Sequence, residues 1–395
     1  MRVLHVHEAL EIVGGSEVYI SLLCKYLPLY HIETDWVSIN FSDSQYNVRD
    51  KRGVIDFSCS KLDFRGSLRL FLIKYGYNLI HIHGVSDPFV VDVCLDMLPV
   101  VRSLHEPRVF CPGSQKFFLK SEEVCKIPFG YHCFAHAYTE KCCNRHPRRL
   151  LKAYNNTKFE VKNASPRYGA IIAMSQYMKN EAVLAGIESS NIYVNPYFVE
   201  ETDIVENQSQ ERRTILFLGR LHETKGVHYL LDAFALLSKS THFRIELQII
   251  GSGSFETFLK SKSERLGIGS MVQFMGWQAR EEIQRALSNS DVVAVPSIYP
   301  EAFGIVGIEA MMAAKPVVGF DVGGISDWLH HDQTGFLIPV KDSVAFAHGL
   351  ERLLTDAELY TRFSINSRKI AIDHFTPSVH LNKLVAVYQS LLSSI

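Results

Sequence analysis

Short apolar runs alternate with amphipathic stretches along almost the whole chain. The runs are a few residues long and rich in Val, Ile and Leu, as strands buried on both faces are. Strand–helix alternation of this kind predicts parallel sheets covered by helices. The first half offers strands at 3–6, 34–39, 79–83, 99–104 and 170–174. A second series follows at 214–218, 246–250, 272–275, 292–296 and 316–319. Helices are expected at 18–26 and 227–237, and a last one at about 378–392, after Pro377. Residues 199–213 are polar, charged and aperiodic, and read as a linker. The two halves repeat in architecture only.

Two strand series predict two domains, 1–198 and 214–376, with 377–395 as a C-terminal helix. The length agrees, since 395 residues exceed one core and 47% apolar content can fill two. A net charge of −1 excludes a global field that gathers nucleic acid, so an anionic ligand must be held by local groups. His5, His7 and Glu8 interrupt the N-terminus, which reads as a buried strand rather than a leader. No apolar run approaches a membrane span. The expected location is cytoplasmic, with peripheral contact at the inner membrane face left open. The sequons at Asn155, Asn163 and Asn207 are then chance matches.

The densest chemistry lies in Tyr-Pro-Glu-Ala-Phe-Gly-Ile-Val-Gly-Ile-Glu-Ala, residues 299–310. Glu301 sits where a strand ends and a helix begins, and Glu309 lies eight steps on. At about 100° per residue those steps bring the two carboxylates within about 80° of each other. Two hydroxyl acceptors at different depths suit a ligand with two polyol parts, as a nucleotide-sugar has. The plain alternative is two solvated helix glutamates. Flanking strands and glycines favour a ligand crevice at the edge of an open sheet.

This stretch resembles the retaining glycosyltransferases of family 4, the glycosyl transferases group 1. The resemblance covers nearly the whole chain and is strongest in its second half. It implies the GT-B fold, an α/β architecture of two Rossmann-like domains whose parallel sheets face each other across a cleft. It implies that Glu301 binds hydroxyls of the donor sugar and Glu309 the ribose. The backbone amides around Phe303, Gly304 and Ile305 would meet the sugar and diphosphate at a helix N-terminus. A C-terminal helix that crosses back to the first domain is common in this fold, and 377–395 is assigned to it.

Arg220 follows a strand directly, and Lys225 precedes Gly226 and a helix. A guanidinium and an ammonium at such a junction suit a diphosphate and can stabilise it as it leaves. The alternative is two surface cations; the resemblance assigns both residues to the donor phosphates. Gly251 and Gly253 form a tight turn near the nucleotide, without the third glycine of a dinucleotide fingerprint. Trp277 either stacks on the base or packs in the core. Asp321, Gly323 and Gly324 form a turn where backbone can approach a ligand.

In the first half, Gly14 and Gly15 precede a helix, where amides can approach phosphate or sugar. The resemblance places them facing the donor; Glu17 is a weaker candidate, or a helix cap. His81 and His83 point to one face of a strand. No third metal ligand is near them in sequence, so a satisfied structural pair is the preferred reading. The resemblance puts His105 beside the reacting sugar, where an imidazole can orient a hydroxyl. Ser175 is a candidate for touching acceptor or phosphate.

Cys111, Cys125, Cys133, Cys142 and Cys143 crowd one insertion, at about 107–150, with His132, His136 and His146 among them. Structural zinc, disulfides and free thiols all remain open, because no Cys-x2-Cys pair is present. Four cations follow within 145–152, and suit anionic headgroups, a lipid diphosphate acceptor or plain solvent.

The expectation is a hexosyltransferase-type enzyme that moves sugar from a nucleotide-diphospho donor to a glycan or lipid-linked saccharide, in cell-surface polysaccharide assembly. No cofactor and no catalytic metal is expected; no Asp-x-Asp element suited to one is found. Two alternatives stand, a nucleotide-sugar epimerase of the same fold and a non-catalytic binding subunit.

Overall fold

The computed structural model describes residues 1–12, 14–42, 44–51, 53–203 and 212–393. It divides into two units. One comprises Met1–Lys120, Cys125–Tyr197 and the C-terminal segment from Pro377; the other comprises Phe198–Thr376 with Ser121–Val124.

The first unit carries β1 (Arg2–His7), β2 (Glu33–Ser42), β3 (Gln45–Asp50), β4 (Asp56–Ser60), β5 (Leu79–Ile82) and β6 (Val100–Leu104). In the insertion lies β7 (Phe117–Phe118), and β8 (Glu123–Val124) follows. Next come β9 (Ala170–Ala173) and β10 (Ile192–Val194). Eight strands form one sheet in the order β10-β9-β6-β5-β1-β2-β3-β4. The inner strands β5, β6 and β9 are buried along their whole length, as the unbroken apolar runs require. The edge departs from the expectation of parallel strands, because β3 and β4 pair antiparallel. Their sequences are too polar to show as apolar runs; in β3 only Tyr46, Val48 and Asp50 turn inward.

The second unit carries β11 (Arg212–Leu218), β12 (Arg244–Ile250), β13 (Val272–Gly276), β14 (Val292–Val295), β15 (Val317–Phe320) and β16 (Gly335–Ile338). They form a six-stranded sheet in the order β13-β12-β11-β14-β15-β16, and every pairing is parallel. The winding reverses between β11 and β14, which opens a crevice at their carboxyl ends.

The helix Pro377–Ser393 packs within the first unit. Its Tyr388 hydroxyl lies 2.6 Å from His81 Nδ1, and its His380 Nε2 lies 2.9 Å from the Tyr19 hydroxyl. Two boundaries differ from the sequence reading. Val199, expected to open the linker, is buried and its N–H donates to Phe375 O at 2.9 Å. Ser121–Val124 of the insertion belongs to the second unit, where the Glu122 carboxylate accepts from the Tyr229 hydroxyl at 2.7 Å. Residues 204–211, with Asn207, lie outside the described residues. Among the described residues, no helix is long and apolar enough to cross a membrane.

Candidate active site

In the second unit, β11 leads into Gly219 and Arg220, a 3-10 turn at Glu223–Lys225 and the helix Val227–Ser240. β14 leads into the loop that ends at Gly304, before the helix Ile305–Met312. The Ile298 N–H ties the loops together by donating to Thr224 O at 3.0 Å. This brings Lys225 Nζ to 2.6 Å from Glu301 Oε1. Ser297 Oγ donates to the same oxygen at 2.6 Å, and the Tyr299 hydroxyl to Oε2 at 2.9 Å. The Tyr299 ring lies 5.0 Å beneath the Lys225 ammonium. Burial opposes both charges of the pair. Their attraction and the Ser297 and Tyr299 bonds outweigh it, holding Glu301 below the usual carboxylate range and Lys225 above the usual lysine range.

Glu301 is not on the helix, so the angular argument that joined it to Glu309 does not apply. Gly304, at φ +92°, interrupts the helical path between them and forms the N-cap. Glu301 is held instead by its backbone, whose carbonyl accepts from Gly324 N–H at 2.8 Å. The Gly323–Gly324 turn thus positions the carboxylate. Ser297 and Tyr299 went unread in the sequence, although both stand within four residues of Glu301.

Glu309 contrasts with Glu301. Its carboxylate has no hydrogen bond or ion pair among the described residues. Burial pushes its pKa up, with Arg280 opposing. Arg220 is exposed and its guanidinium also lacks a partner among the described residues. Phe303 is buried, and its carbonyl accepts from Trp328 Nε1 at 2.6 Å. The Gly304 and Ile305 N–H groups have no acceptor among the described residues, as at any open helix start.

Gly251 turns out to serve a close approach of chains. It sits at φ +132°, and a Cβ there would fall 2.0 Å from Gly219 O. It braces the Arg220 loop from the β12 side. Trp277 is 75% exposed, which excludes core packing.

In the first unit, Gly14 and Gly15 open the helix Gly15–Tyr26, and the Gly14 N–H donates to Glu17 Oε2 at 2.9 Å. Glu17 therefore caps. Ser175 is fully buried and its Oγ accepts from Met178 N–H at 3.1 Å, so its hydroxyl is committed to a cap as well.

His105 belongs to a chain of imidazoles. Its Nε2 lies 2.9 Å from His83 Nδ1, and its Nδ1 lies 2.6 Å from the Tyr197 hydroxyl. His83 Nε2 in turn lies 3.0 Å from His5 Nδ1. Both His105 nitrogens are thus engaged inside this unit. Burial drives the pKa of His5 and of His105 down to about 3 and that of His83 well below its ordinary value. The third histidine missing from the sequence reading is His5, brought beside His81 by the β1–β5 register. His5, His81 and His83 offer nitrogens within 4.8 Å of one another. The His81 nitrogens already face Tyr388 and Ser103, so the group fits a neutral hydrogen-bonded cluster better than a metal site. Within this cluster the Nε2 of His5 is buried without a partner among the described residues.

Cys111, Cys125, Cys133, Cys142 and Cys143 converge on one small void with His136 at its wall. Behind the insertion, a cavity of about 280 Å³ is lined by Arg108, Arg149, Lys152, Ser114 and Asn156, with buried Arg102 at its base. Arg149 and Lys152 carry no ion pair among the described residues.

The family described as glycosyl transferases group 1 matches residues 199–370. An uncharacterized glycosyltransferase of Methanocaldococcus jannaschii is 31% identical over 319 residues, 79% of this chain and 75% of that protein. A phosphatidyl-myo-inositol mannosyltransferase of Mycobacterium leprae is 32% identical over 183 residues, 46% of this chain and 48% of that protein, so that match spans about half of each. Among solved structures, Anabaena Alr3699/HepE in complex with UDP aligns with a TM-score of 0.69 at 19% identity, over 99% of this chain and 100% of that one. Sucrose-phosphate synthase of Thermosynechococcus elongatus aligns with a TM-score of 0.73 at 18% identity, over the whole of both chains. These likenesses show the GT-B fold.

Proposed function

This chain belongs to the glycosyl transferases group 1, and from that premise we propose that it transfers a hexose, with retention, from a nucleotide diphosphate to a hydroxyl of a glycan or lipid-linked saccharide. The observation that carries the reading is the contrast between two carboxylates at one sheet crevice. Glu301 is saturated by Lys225, Ser297 and Tyr299, whereas Glu309 is half-buried and its carboxylate has no partner among the described residues. A half-buried carboxylate that no protein donor engages is available to accept from a ligand hydroxyl, here the ribose.

Arg220 supplies an unpaired guanidinium for the diphosphate, and the Gly304 and Ile305 amides add donors at a helix start. Lys225 is shared: it fixes Glu301 for the donor sugar and presents charge to the phosphates. Together these cations can neutralise the leaving diphosphate, so the reading needs no divalent metal. UDP is the first base to test, because the structurally similar HepE was solved with UDP and with UDP-glucose. The first unit is assigned to the acceptor. Arg149 and Lys152, without ion pairs among the described residues, line its cavity of about 280 Å³ and favour an acceptor that carries phosphate or carboxylate, as a lipid-linked saccharide does. Cell-surface polysaccharide assembly fits such an acceptor.

Calorimetric binding of UDP, GDP and ADP to wild type, Glu309→Ala and Lys225→Ala tests the donor site. One nucleotide should bind, and both substitutions should weaken it tenfold or more. Binding that survives both changes would remove the donor site from this crevice. Product analysis then separates the alternatives: transfer releases free nucleotide diphosphate, epimerisation keeps it attached, and a binding subunit turns nothing over.

A further inference from the structure

The insertion holds five of the chain's eight cysteines, spread from Cys111 to Cys143. Folding brings all five to the wall of a single void of about 30 Å³. That is the space of one water molecule or one metal ion. Phe110, Phe117, Phe118 and Phe129 supply much of the remaining wall, with Lys116 and His136 as its polar side chains besides the thiols. Thiols packed around an apolar gap would lose little by being valine or alanine. Their convergence from four separate turns of chain calls for a ligand that only sulfur holds well.

We propose that this void is a structural zinc site, with Cys111, Cys125, Cys133 and Cys142 as its four ligands. Soft thiolates in a closed, four-ligand shell are the chemistry of structural zinc. Cys143 is the fifth thiol and is set aside, because its Sγ donates to Pro112 O at 3.2 Å, a closer bond than the 3.8 Å one from Cys125 Sγ to Ile127 O. Each ligating thiol gives its proton to solvent as the metal enters, so four thiolates and one Zn²⁺ leave a net double negative charge. Buried Lys116 lies on the same wall, where its ammonium is already paired with Glu181 Oε2 at 2.8 Å. Gly113 lets the Cys111 turn close over the Cys142 backbone, since a Cβ there would fall 2.1 Å from Cys142 O and 3.7 Å from Cys111 Sγ. Among the described residues, no three of these sulfurs lie within 4.8 Å of one another. Zinc would draw them inward, and so would fasten the segment between β6 and the helix Pro147–Phe159 as one module. This inference is independent of the donor-site reading, and it assigns the metal no part in transfer.

The test is elemental analysis of the untagged full-length protein, purified under reduction in metal-free buffer. One zinc per chain is expected, released in step with modification of four thiols. Cobalt exchanged into the same protein should show tetrahedral thiolate charge-transfer absorption. Cys125→Ser and Cys133→Ser should lose the metal, whereas Cys143→Ser and Cys59→Ser should keep it. X-ray absorption on wild-type protein reports the sulfur shell even if the variants fail to fold. Less than a tenth of an equivalent of zinc after incubation with Zn²⁺, disulfides joining these cysteines, iron with acid-labile sulfide, or zinc kept by the Cys125→Ser and Cys133→Ser variants would each overturn the proposal.

Discussion

Lys225 Nζ and Glu301 Oε1 lie 2.6 Å apart, 76 residues apart in the chain, and each side chain is less than a fifth exposed. The pair joins the loop after β11 to the loop after β14. Breaking one side of such a pair leaves a largely buried charge alone. Glu301→Gln should therefore cost about 3 kcal/mol of stability, read as a lower urea midpoint of unfolding. The double change Lys225→Met with Glu301→Leu should recover most of that loss and still fail to bind nucleotide. Recovery of binding together with stability would show that the pair only supports the fold.

Glu309 should behave in the opposite way. Glu309→Leu removes a carboxylate that burial holds in its neutral form's favour, and should raise the midpoint of thermal unfolding in the absence of ligand. Nucleotide affinity should fall at least tenfold. The pH dependence follows from the raised pKa. Above the usual glutamate pKa the native state holds this proton longer than the unfolded chain, so stability declines as pH rises through that window. Wild type minus Glu309→Leu isolates the effect.

The histidine chain predicts acid sensitivity of the first unit. His5, His81, His83, His105 and His380 all have lowered pKa values because burial disfavours their charged forms. The unfolded chain takes up these protons below about 6.5, and the native state does not until far lower pH. Stability should be fully present above about pH 6.5 and fall as pH drops toward 3, by up to about 1.4 kcal/mol per pH unit for each imidazole. Urea titrations at pH 7 and 5 measure this slope, and His83→Asn should flatten it. A slope unchanged by that substitution would mean the cluster is already charged in the native state.

Ser175 offers a contrast between cap and site. Its hydroxyl accepts from Met178 N–H inside the fold. Ser175→Ala should cost about 1 kcal/mol and leave the turnover of a transferring enzyme unchanged. A fall in turnover without loss of stability would return Ser175 to the acceptor site.

Much of this architecture is visible in the order of residues alone. Ten strands were expected and ten lie where the apolar runs are, because strands buried on both faces need continuous Val, Ile and Leu. β3, β4, β7, β8, β10 and β16 were not seen. β3 and β4 are half-wet strands at one end of their sheet, β7 and β8 have two residues each, and β10 and β16 are edge strands.

The candidate site divides along the same line. Local spacing is enough to find Arg220 and Lys225 beside a strand end, Glu301 before a helix and Glu309 on it, since each depends on neighbours a few residues away. What each side chain touches depends on which strands become neighbours. Only the sheet order puts Lys225 against Glu301 and leaves Glu309 without a partner among the described residues. Only the pairing of β1 with β5 adds His5 to His83, and only that of β5 with β6 brings His83 beside His105. Sequence by itself determined the element types and the chemical groups available. Tertiary structure decided which of those groups are spent on one another and which remain for a ligand, because hydrogen bonds and ion pairs form between atoms near in space, however far apart they stand in the chain.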